Sequence, residues 1–208
     1  MESGDAAKFI SKLDDDDDDS DNWNTAQDEA FLFDYCRDLY KSETAVYDAL
    51  KDRQGKCIHR LLQKVLLDPN VSVPASNPLA SYFEVPGVLL ERIEGFSLEH
   101  IHLHVPMEFW QDICDKAIKI VNCISHRGIL NEDVKTRNVI VRKKGRGYDV
   151  VMIDFAQCRF RERDESEKEW KLAKQQQDEE GAIGYVMQGR LKKGAEIKYK
   201  PTREYRGE

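Results

Sequence analysis

The chain has 208 residues, 40% of them hydrophobic and 34% charged, which is typical of a folded domain that also contains some disordered sequence. The formal net charge of −7 argues against nucleic acid or an anionic membrane as a partner, and no apolar run approaches the roughly 20 residues that cross a bilayer. The start of the chain lacks the pattern of a signal peptide, and the odd number of scattered cysteines predicts reduced thiols in an intracellular protein, cytoplasmic or nuclear.

The first predicted elements flank a strongly acidic stretch. Residues 6–10 have the apolar character of a short strand. The six consecutive aspartates that follow repel one another and predict a disordered, solvated loop over 13–27. Apolar residues then recur at three- and four-residue steps across 26–53, which predicts two helices with Ser42 as the cap of the second.

The middle of the chain predicts two strands and a long helix. The apolar runs at 58–67 and 85–93 read as strands, and the loop between them is rich in proline, serine and asparagine. Residues 106–126 place their apolar side chains on one stripe, which predicts a core helix.

The sequence VIVRKKGRGYDVVMIDF, residues 139–155, is typical of a β-hairpin, because two apolar runs surround a basic turn that contains glycine. Beyond it, the charged residues 162–180 and the following GAIGYVM segment predict two more helices, and residues 191–208 predict a polar, frayed tail.

Polar residues stand at the two open ends of this predicted hairpin. Asn138 comes directly before the first strand and Asp154 directly after the second. Because an antiparallel hairpin brings its open ends together, we expect a carboxamide beside a carboxylate. These are hard oxygen ligands of the kind that Mg²⁺ prefers, with phosphates completing the coordination.

Two further side chains precede the hairpin in the same loop. Asp133 lies five residues before Asn138, and Lys135 lies between them. A metal pair, a carboxylate base and a cation in one small volume suit phosphoryl transfer, in which charge stabilisation and positioning do most of the work. Each residue type is common in turns, so only the whole pattern of helix, loop, strand, turn and strand makes the prediction specific.

The segments NEDVKTRNVIV and VVMIDFAQ resemble the catalytic loop and metal-binding turn of the protein kinase-like superfamily. The whole pattern looks most like the compact kinase-like proteins of filamentous fungi. The resemblance implies an α+β, two-lobed kinase-like fold with an incomplete N-terminal β-lobe and a reduced helical C-lobe. The implied division is a partial N-lobe strand, an acidic loop, the rest of the N-lobe with its helix and hinge, a reduced C-lobe and a polar tail, at 1–12, 13–27, 28–93, 94–190 and 191–208.

Roles for individual residues follow from the resemblance alone. Asp133 matches the catalytic base, Lys135 the lysine that contacts phosphate, and Asn138 and Asp154 the metal ligands, so the implied cofactors are ATP and Mg²⁺.

The nucleotide-binding residues are implied in the same way. Leu90 matches the residue that guards the back of the adenine pocket, and Glu91 and Ile93 match the hinge positions whose backbone bonds adenine. Glu43 matches the helix glutamate that pairs with the nucleotide-binding lysine, for which Lys8 is the candidate.

The sequence also departs from the family's pattern. No glycine-rich phosphate loop precedes Lys8, Asn131-Glu132 replaces the usual His-Arg, and no A-P-E motif follows Asp154. Three functions therefore stay open. The first is a phosphotransferase that acts on a hydroxyl, with protein Ser/Thr as the expected acceptor. The others are a pseudokinase that serves as a binding module, and a small-molecule kinase of the aminoglycoside or choline type. The sequence predicts neither the particular acceptor molecule nor the oligomeric state.

Overall fold

The computed structural model describes residues 9, 23–67, 80–191, 197–202 and 205. Most of the predicted acidic loop, and Lys8, lie outside these residues. Of the strand expected at 6–10, only Phe9 is described, and it is helical rather than extended. Its ring lies 5.1 Å from that of Trp23, which in turn lies 5.2 Å from the ring of Phe31.

The first long element is one helix, α1 (Thr25–Ala49), where two helices were predicted. No glycine or proline interrupts this stretch, so the helical hydrogen bonds continue through it. Asn24 caps the helix by accepting hydrogen bonds from the backbone of Ala26 and Gln27, at 3.0 and 3.2 Å. The prediction that Ser42 is a cap is therefore wrong. Its hydroxyl instead donates to the carbonyl of Cys158, which ties α1 to a distant strand.

A two-stranded antiparallel sheet follows, formed by β1 (Leu61–Leu67) and β2 (Val85–Leu90). Both strands are shorter than predicted. Some apolar side chains of this sheet are each more than a third exposed to solvent. We call them the exposed apolar set: Leu62, Leu66, Leu67, Val85 and Leu89. This sheet therefore buries little of its own hydrophobic surface among the described residues.

The remaining strands are arranged around the hairpin. The strands β5 (Val139–Lys144) and β6 (Gly147–Met152) pair as predicted, and Gly145 takes a φ of +59° in the turn, which glycine adopts at low cost. The short strand β3 (Phe96–Ser97) pairs with β5, and β4 (Ile129–Asn131) pairs with β7 (Cys158–Phe160).

Helices pack against these sheets. The predicted core helix is α3 (Trp110–Ser125), which follows the single-turn helix α2 (Ile101–His104). The charged segment forms α4 (Glu167–Gln177), and α5 (Glu179–Arg190) follows at once. The largest fully buried side chains come from α1, α3, α5 and the segments around the hairpin, so one core supports all of these elements.

The tail is not frayed where the structure describes it. Ile197, Tyr199 and Tyr205 are buried, and the backbone N–H of Lys198 donates to Gln111 of α3 at 2.8 Å. The sequence suggested a polar tail because its charged residues outnumber the three apolar ones that anchor it. Within the described part of the chain, no helix combines the length and hydropathy that crossing a membrane requires.

Candidate active site

The hairpin brings together the polar residues at its open ends. Val139 pairs with Met152, so Asn138 and Asp154 flank the last rung of the ladder. The Asn138 amide nitrogen lies 3.4 Å from a carboxylate oxygen of Asp154 and 3.4 Å from one of Asp133. Three residues that span 22 positions in sequence thus share one small volume.

The lysine of the same loop lies there too. The ammonium group of Lys135 forms an ion pair with the carboxylate of Asp133. The side chain of Asp133 is only 12% exposed, whereas that of Lys135 is 47% exposed. The carboxylate is therefore held by its neighbours, while the ammonium can still reach towards solvent. We call Asp133, Lys135, Asn138 and Asp154 the polar cluster.

The backbone at Asp154 has an unusual conformation. Its φ is +68°, in the left-handed region that few residues other than glycine adopt. The next residue, Phe155, is fully buried, and its ring meets that of Tyr47 edge-on at 5.5 Å. The buried ring thus anchors the turn that projects the carboxylate of Asp154 into the cluster, and it stabilises a backbone conformation that is unfavourable by itself.

Asn131 organises the loop beneath the cluster, and the sequence analysis did not identify this role. Its side chain accepts from the backbone N–H of Asp133 at 2.9 Å and donates to the carbonyl of Asp154 at 3.4 Å. Its own backbone N–H donates to a carboxylate oxygen of Glu179 at 2.9 Å. One buried asparagine therefore links both aspartates of the polar cluster to α5.

Two buried glutamates at the start of α5 were also missed. Glu179 and Glu180 are 1% and 0% exposed. The hydroxyl of Tyr205 donates to Glu179 at 2.9 Å, and the backbone N–H of Thr202 donates to Glu180 at 2.9 Å. Burial raises the pKa of Glu179 to about 7, although hydrogen bonds from Asn131 and Tyr205 oppose the shift.

The sequence does carry a signal for the first of these glutamates. Glu179 lies four residues before Ile183 and eight before Met187, so the three share one face of α5. Ile183 and Met187 are both fully buried, and a glutamate on their face should be buried with them.

Glu43 of α1 also approaches the cluster. Burial raises the pKa of its carboxyl, the charge of Asp154 raises it further, and a hydrogen bond from the backbone of Phe155 lowers it. Lys8, its predicted partner, lies outside the described residues. Within the described part of the chain, Glu43 is joined to the backbone after Asp154 rather than to a cation.

The predicted hinge follows β2. Leu90 packs half-buried against the core, and Ile93 is half-buried in the segment after the strand. The backbone N–H of Glu91 donates to the carbonyl of Arg60 at 2.9 Å, and its carboxylate pairs with the Arg60 guanidinium at 2.8 Å. The role of these positions in binding adenine stays a prediction.

A buried histidine joins the hinge to α1, and sequence analysis did not single it out. His59 is 6% exposed, and its Nε2 contacts the hydroxyl of Tyr47. Burial lowers the pKa of the imidazole, while its hydrogen bond to the Glu91 backbone opposes the shift. A neutral ring that donates to Glu91 and accepts from Tyr47 satisfies both contacts.

The chain combines helices with small antiparallel sheets, and comparison with solved structures shows that this arrangement is a kinase-like fold. A crystal structure of the Rio2 kinase-ADP/Mg²⁺-phosphoaspartate complex from Chaetomium thermophilum matches with a TM-score of 0.55 and 12% sequence identity. The match covers 83% of this chain and 44% of that one, so the chain spans less than half the length of that structure.

Comparison of the sequence with family models finds no match, and comparison with curated proteins finds none. The predicted kinase-like α+β fold is thus confirmed by structure, and the division into lobes stays a prediction.

Proposed function

We propose that this protein is an ATP- and Mg²⁺-dependent phosphotransferase that transfers the γ-phosphate to a hydroxyl group. The proposal rests on the position of the Asn138 amide nitrogen. This nitrogen lies 3.4 Å from a carboxylate oxygen of Asp133 and 3.4 Å from one of Asp154. On a kinase-like fold, a carboxamide beside two carboxylates would supply a metal site and a base in one place.

Asn138 and Asp154 would hold the metal. Among the described residues, no group of three or more His, Cys, Asp or Glu side chains is arranged to bind a metal by itself. One carboxylate and one carboxamide are few ligands for a dedicated protein cage. They fit Mg²⁺, which is usually bound through one or two protein oxygens together with phosphates and water. When bound, Mg²⁺ would neutralise charge on the phosphates.

Asp133 and Lys135 would act on the two reacting groups. The Asp133 carboxylate would orient the acceptor hydroxyl and take its proton, which makes the oxygen a better nucleophile. The partly exposed ammonium of Lys135 would stabilise the charge on the transferred phosphoryl group. The ion pair between them would hold the base beside the cation at the point of transfer. We propose a serine or threonine hydroxyl of a protein as the acceptor.

The test is transfer of labelled phosphate from ATP in the presence of Mg²⁺. We expect Asp154→Asn to lower the rate by about 10³-fold and Asp133→Asn by about 10²- to 10³-fold, because each removes charge needed in the transition state. The matched control is Asp112→Asn, which changes an exposed aspartate of α3 that pairs with Lys116, and it should stay within about twofold. Equal transfer by all four proteins would refute the proposal. Label on a metabolite but on no protein would move the acceptor to a small molecule.

A second candidate is a kinase-like binding module without turnover. Glu43 is bonded to the backbone of Phe155, and Glu91 uses its backbone N–H and carboxylate on Arg60, so both predicted nucleotide contacts already have protein partners. A ligand that binds only the folded state raises the melting temperature. No shift with millimolar ATP and Mg²⁺, together with no transfer, would favour this candidate.

A further inference from the structure

We propose that the tip of the β5–β6 hairpin docks an acidic segment from a second copy of this chain. The hairpin tip is residues 142–149, which surround the turn between the two strands. The docked segment is the run of six aspartates at residues 14–19, which we call the aspartate run. The run lies outside the described residues, whereas the whole tip is described. This contact does not depend on the proposed phosphotransfer.

The charge of the hairpin tip favours an acidic partner. Its sequence, RKKGRGYD, holds four cationic side chains and one carboxylate, so positive charge is in excess. The carboxylate of Asp149 is shared by Arg142 at 3.3 Å and Lys144 at 3.0 Å. Within the part of the chain that the structure describes, Lys143 and Arg146 have no acidic partner, and both are exposed. These two cations can therefore pair with carboxylates from another molecule.

The backbone of the hairpin tip is held in place by α3. Lys143 pairs across the hairpin with Tyr148, whose ring meets that of Phe109 edge-on at 5.3 Å. The ammonium of Lys116 in α3 donates to the carbonyl of Tyr148 at 2.7 Å. The strands that carry the cations are thus fixed before a partner arrives, and less conformational entropy is lost when it binds.

The aspartate run complements this surface. Its six adjacent carboxylates repel one another, and cations placed beside them relieve that repulsion. Nucleic acid and anionic membranes also carry negative charge, but the net charge of −7 on the chain repels such extended polyanions. A short acidic segment can contact the hairpin tip without bringing a large anionic surface close to the rest of the molecule.

Chain lengths favour a second copy as the source of the run. The rings of Phe9 and Trp23 lie 5.1 Å apart, so the chain between them returns to its start and can extend at most about 25 Å from Trp23. Ser42, which bonds the carbonyl of Cys158, lies about 28 Å along α1 from Trp23. The aspartate run is therefore tethered to the far end of α1, whereas the hairpin tip packs beside α3.

A symmetric pair of copies would make this contact twice. Each copy has one hairpin tip and one aspartate run, so a two-fold axis lets each run reach the other copy's tip. Exposed ion pairs are individually weak, and salt screens them. Once one contact has formed, the second becomes intramolecular, and its higher effective concentration strengthens the pair.

The experiment follows the sedimentation velocity of the full chain as a function of concentration. We expect self-association that weakens at least about tenfold between about 0.02 M and about 0.5 M NaCl, because the Debye length shortens. The tip variant carries Lys143→Glu and Arg146→Glu, and the run variant has all six aspartates changed to lysine. Each variant alone should be monomeric, because its tip and its run then have the same sign of charge.

Mixing the two variants is the decisive step. In the mixture the reversed tip meets the reversed run and the unaltered tip meets the unaltered run, so association should return. The matched control carries Arg163→Glu and Lys168→Glu, two exposed cations far from the tip in sequence, and its association should stay within about twofold of the wild type. Unchanged melting temperatures check that the variants fold.

Several results would overturn the proposal. They are a monomeric wild type at low salt, an equal loss of association in the control and the tip variant, or a mixture of the tip and run variants that stays monomeric. Carbodiimide cross-linking of mixed ¹⁴N- and ¹⁵N-labelled chains tests the source of the run. Cross-links from the run to Lys143 or Lys144 between differently labelled copies would support a second copy, and cross-links confined to one copy would overturn it. An oligonucleotide that binds the tip more tightly than the second copy does would overturn the choice of an acidic protein segment.

Discussion

The surroundings of the polar cluster and the β1–β2 sheet are built in opposite ways. Around the cluster, buried polar groups have partners from several segments: Asn131 reaches Glu179 and both aspartates, and Glu179 reaches Tyr205. In the β1–β2 sheet, Leu62 and Leu89 are 63% and 50% exposed.

This contrast shows which part of the molecule holds the side chains of the site in place. Buried hydrogen bonds have narrow geometry and are costly to leave unmade, so the network beneath the cluster holds its loop in one arrangement. Apolar side chains that face water, such as those of the exposed apolar set, require no comparable geometry. The geometry needed for chemistry therefore depends on the hairpin, α3 and α5 more than on the sheet.

The largest expected effect comes from the ring that anchors the Asp154 turn. Phe155→Ala should lower the free energy of unfolding by about 3–5 kcal/mol, because it leaves a cavity beside Tyr47 in the core. Denaturant unfolding followed by circular dichroism measures the change. Phe160→Ala, at a ring that is 38% exposed, is the control and should cost clearly less. If Phe155→Ala costs no more than the control, then the ring beneath the Asp154 turn stabilises the protein no more than an exposed ring does.

The next effect concerns Glu179 and pH. Its pKa is raised from 4.5 to about 7 in the folded protein. Proton uptake at this group therefore contributes stability that is fully present below about pH 4.5 and is lost as the pH rises through about 7.

Glu179→Gln removes this titration while an amide oxygen can still accept from Asn131. The free energy of unfolding of the wild type minus that of the variant should fall by about 3 kcal/mol between pH 4.5 and 7.5. Urea unfolding across this range measures it, with the exposed Glu108→Gln as control. A pH-independent difference would mean that Glu179 titrates normally.

A smaller effect is expected at the link between α1 and the hinge. Tyr47→Phe keeps the buried ring but removes the hydroxyl that contacts His59, so a buried ring nitrogen loses its partner. We expect a loss of about 2 kcal/mol. Tyr35→Phe, at an exposed tyrosine of the same helix, should change stability by no more than about 0.5 kcal/mol. Equal melting temperatures for the two variants would argue against the buried bond.

The smallest effects are expected in the exposed apolar set. Leu62→Thr and Leu89→Thr should each change the free energy of unfolding by less than about 0.5 kcal/mol, because both side chains already contact water. Chemical denaturation of each variant tests this. A cost of about 2 kcal/mol at either position would show that this face is covered in solution, and it would remove the contrast between the two regions.

Much of the fold could be predicted because its strongest signals are local. The hairpin is encoded by two apolar runs around Gly145, and α3 by an apolar stripe over residues 110–125. Each pattern specifies its element without help from distant residues. The meeting of Asn138 and Asp154 followed from the geometry of the hairpin alone.

The features that could not be predicted depend on contacts between residues that are distant in sequence. Ser42 is a favoured capping residue, yet its hydroxyl bonds the carbonyl of Cys158, 116 positions away. The apolar face of α5 predicts that Glu179 is buried, but its partners and those of Glu180, among them Asn131, Asn122 and residues of the tail, come from distant parts of the chain. Local propensity contains no information on such partners.

The packed tail has a practical consequence for anyone who purifies this protein. Tyr205 and Thr202 close over the two glutamates of α5, so cleavage before residue 197 would remove a hydrogen-bond donor from each buried carboxylate.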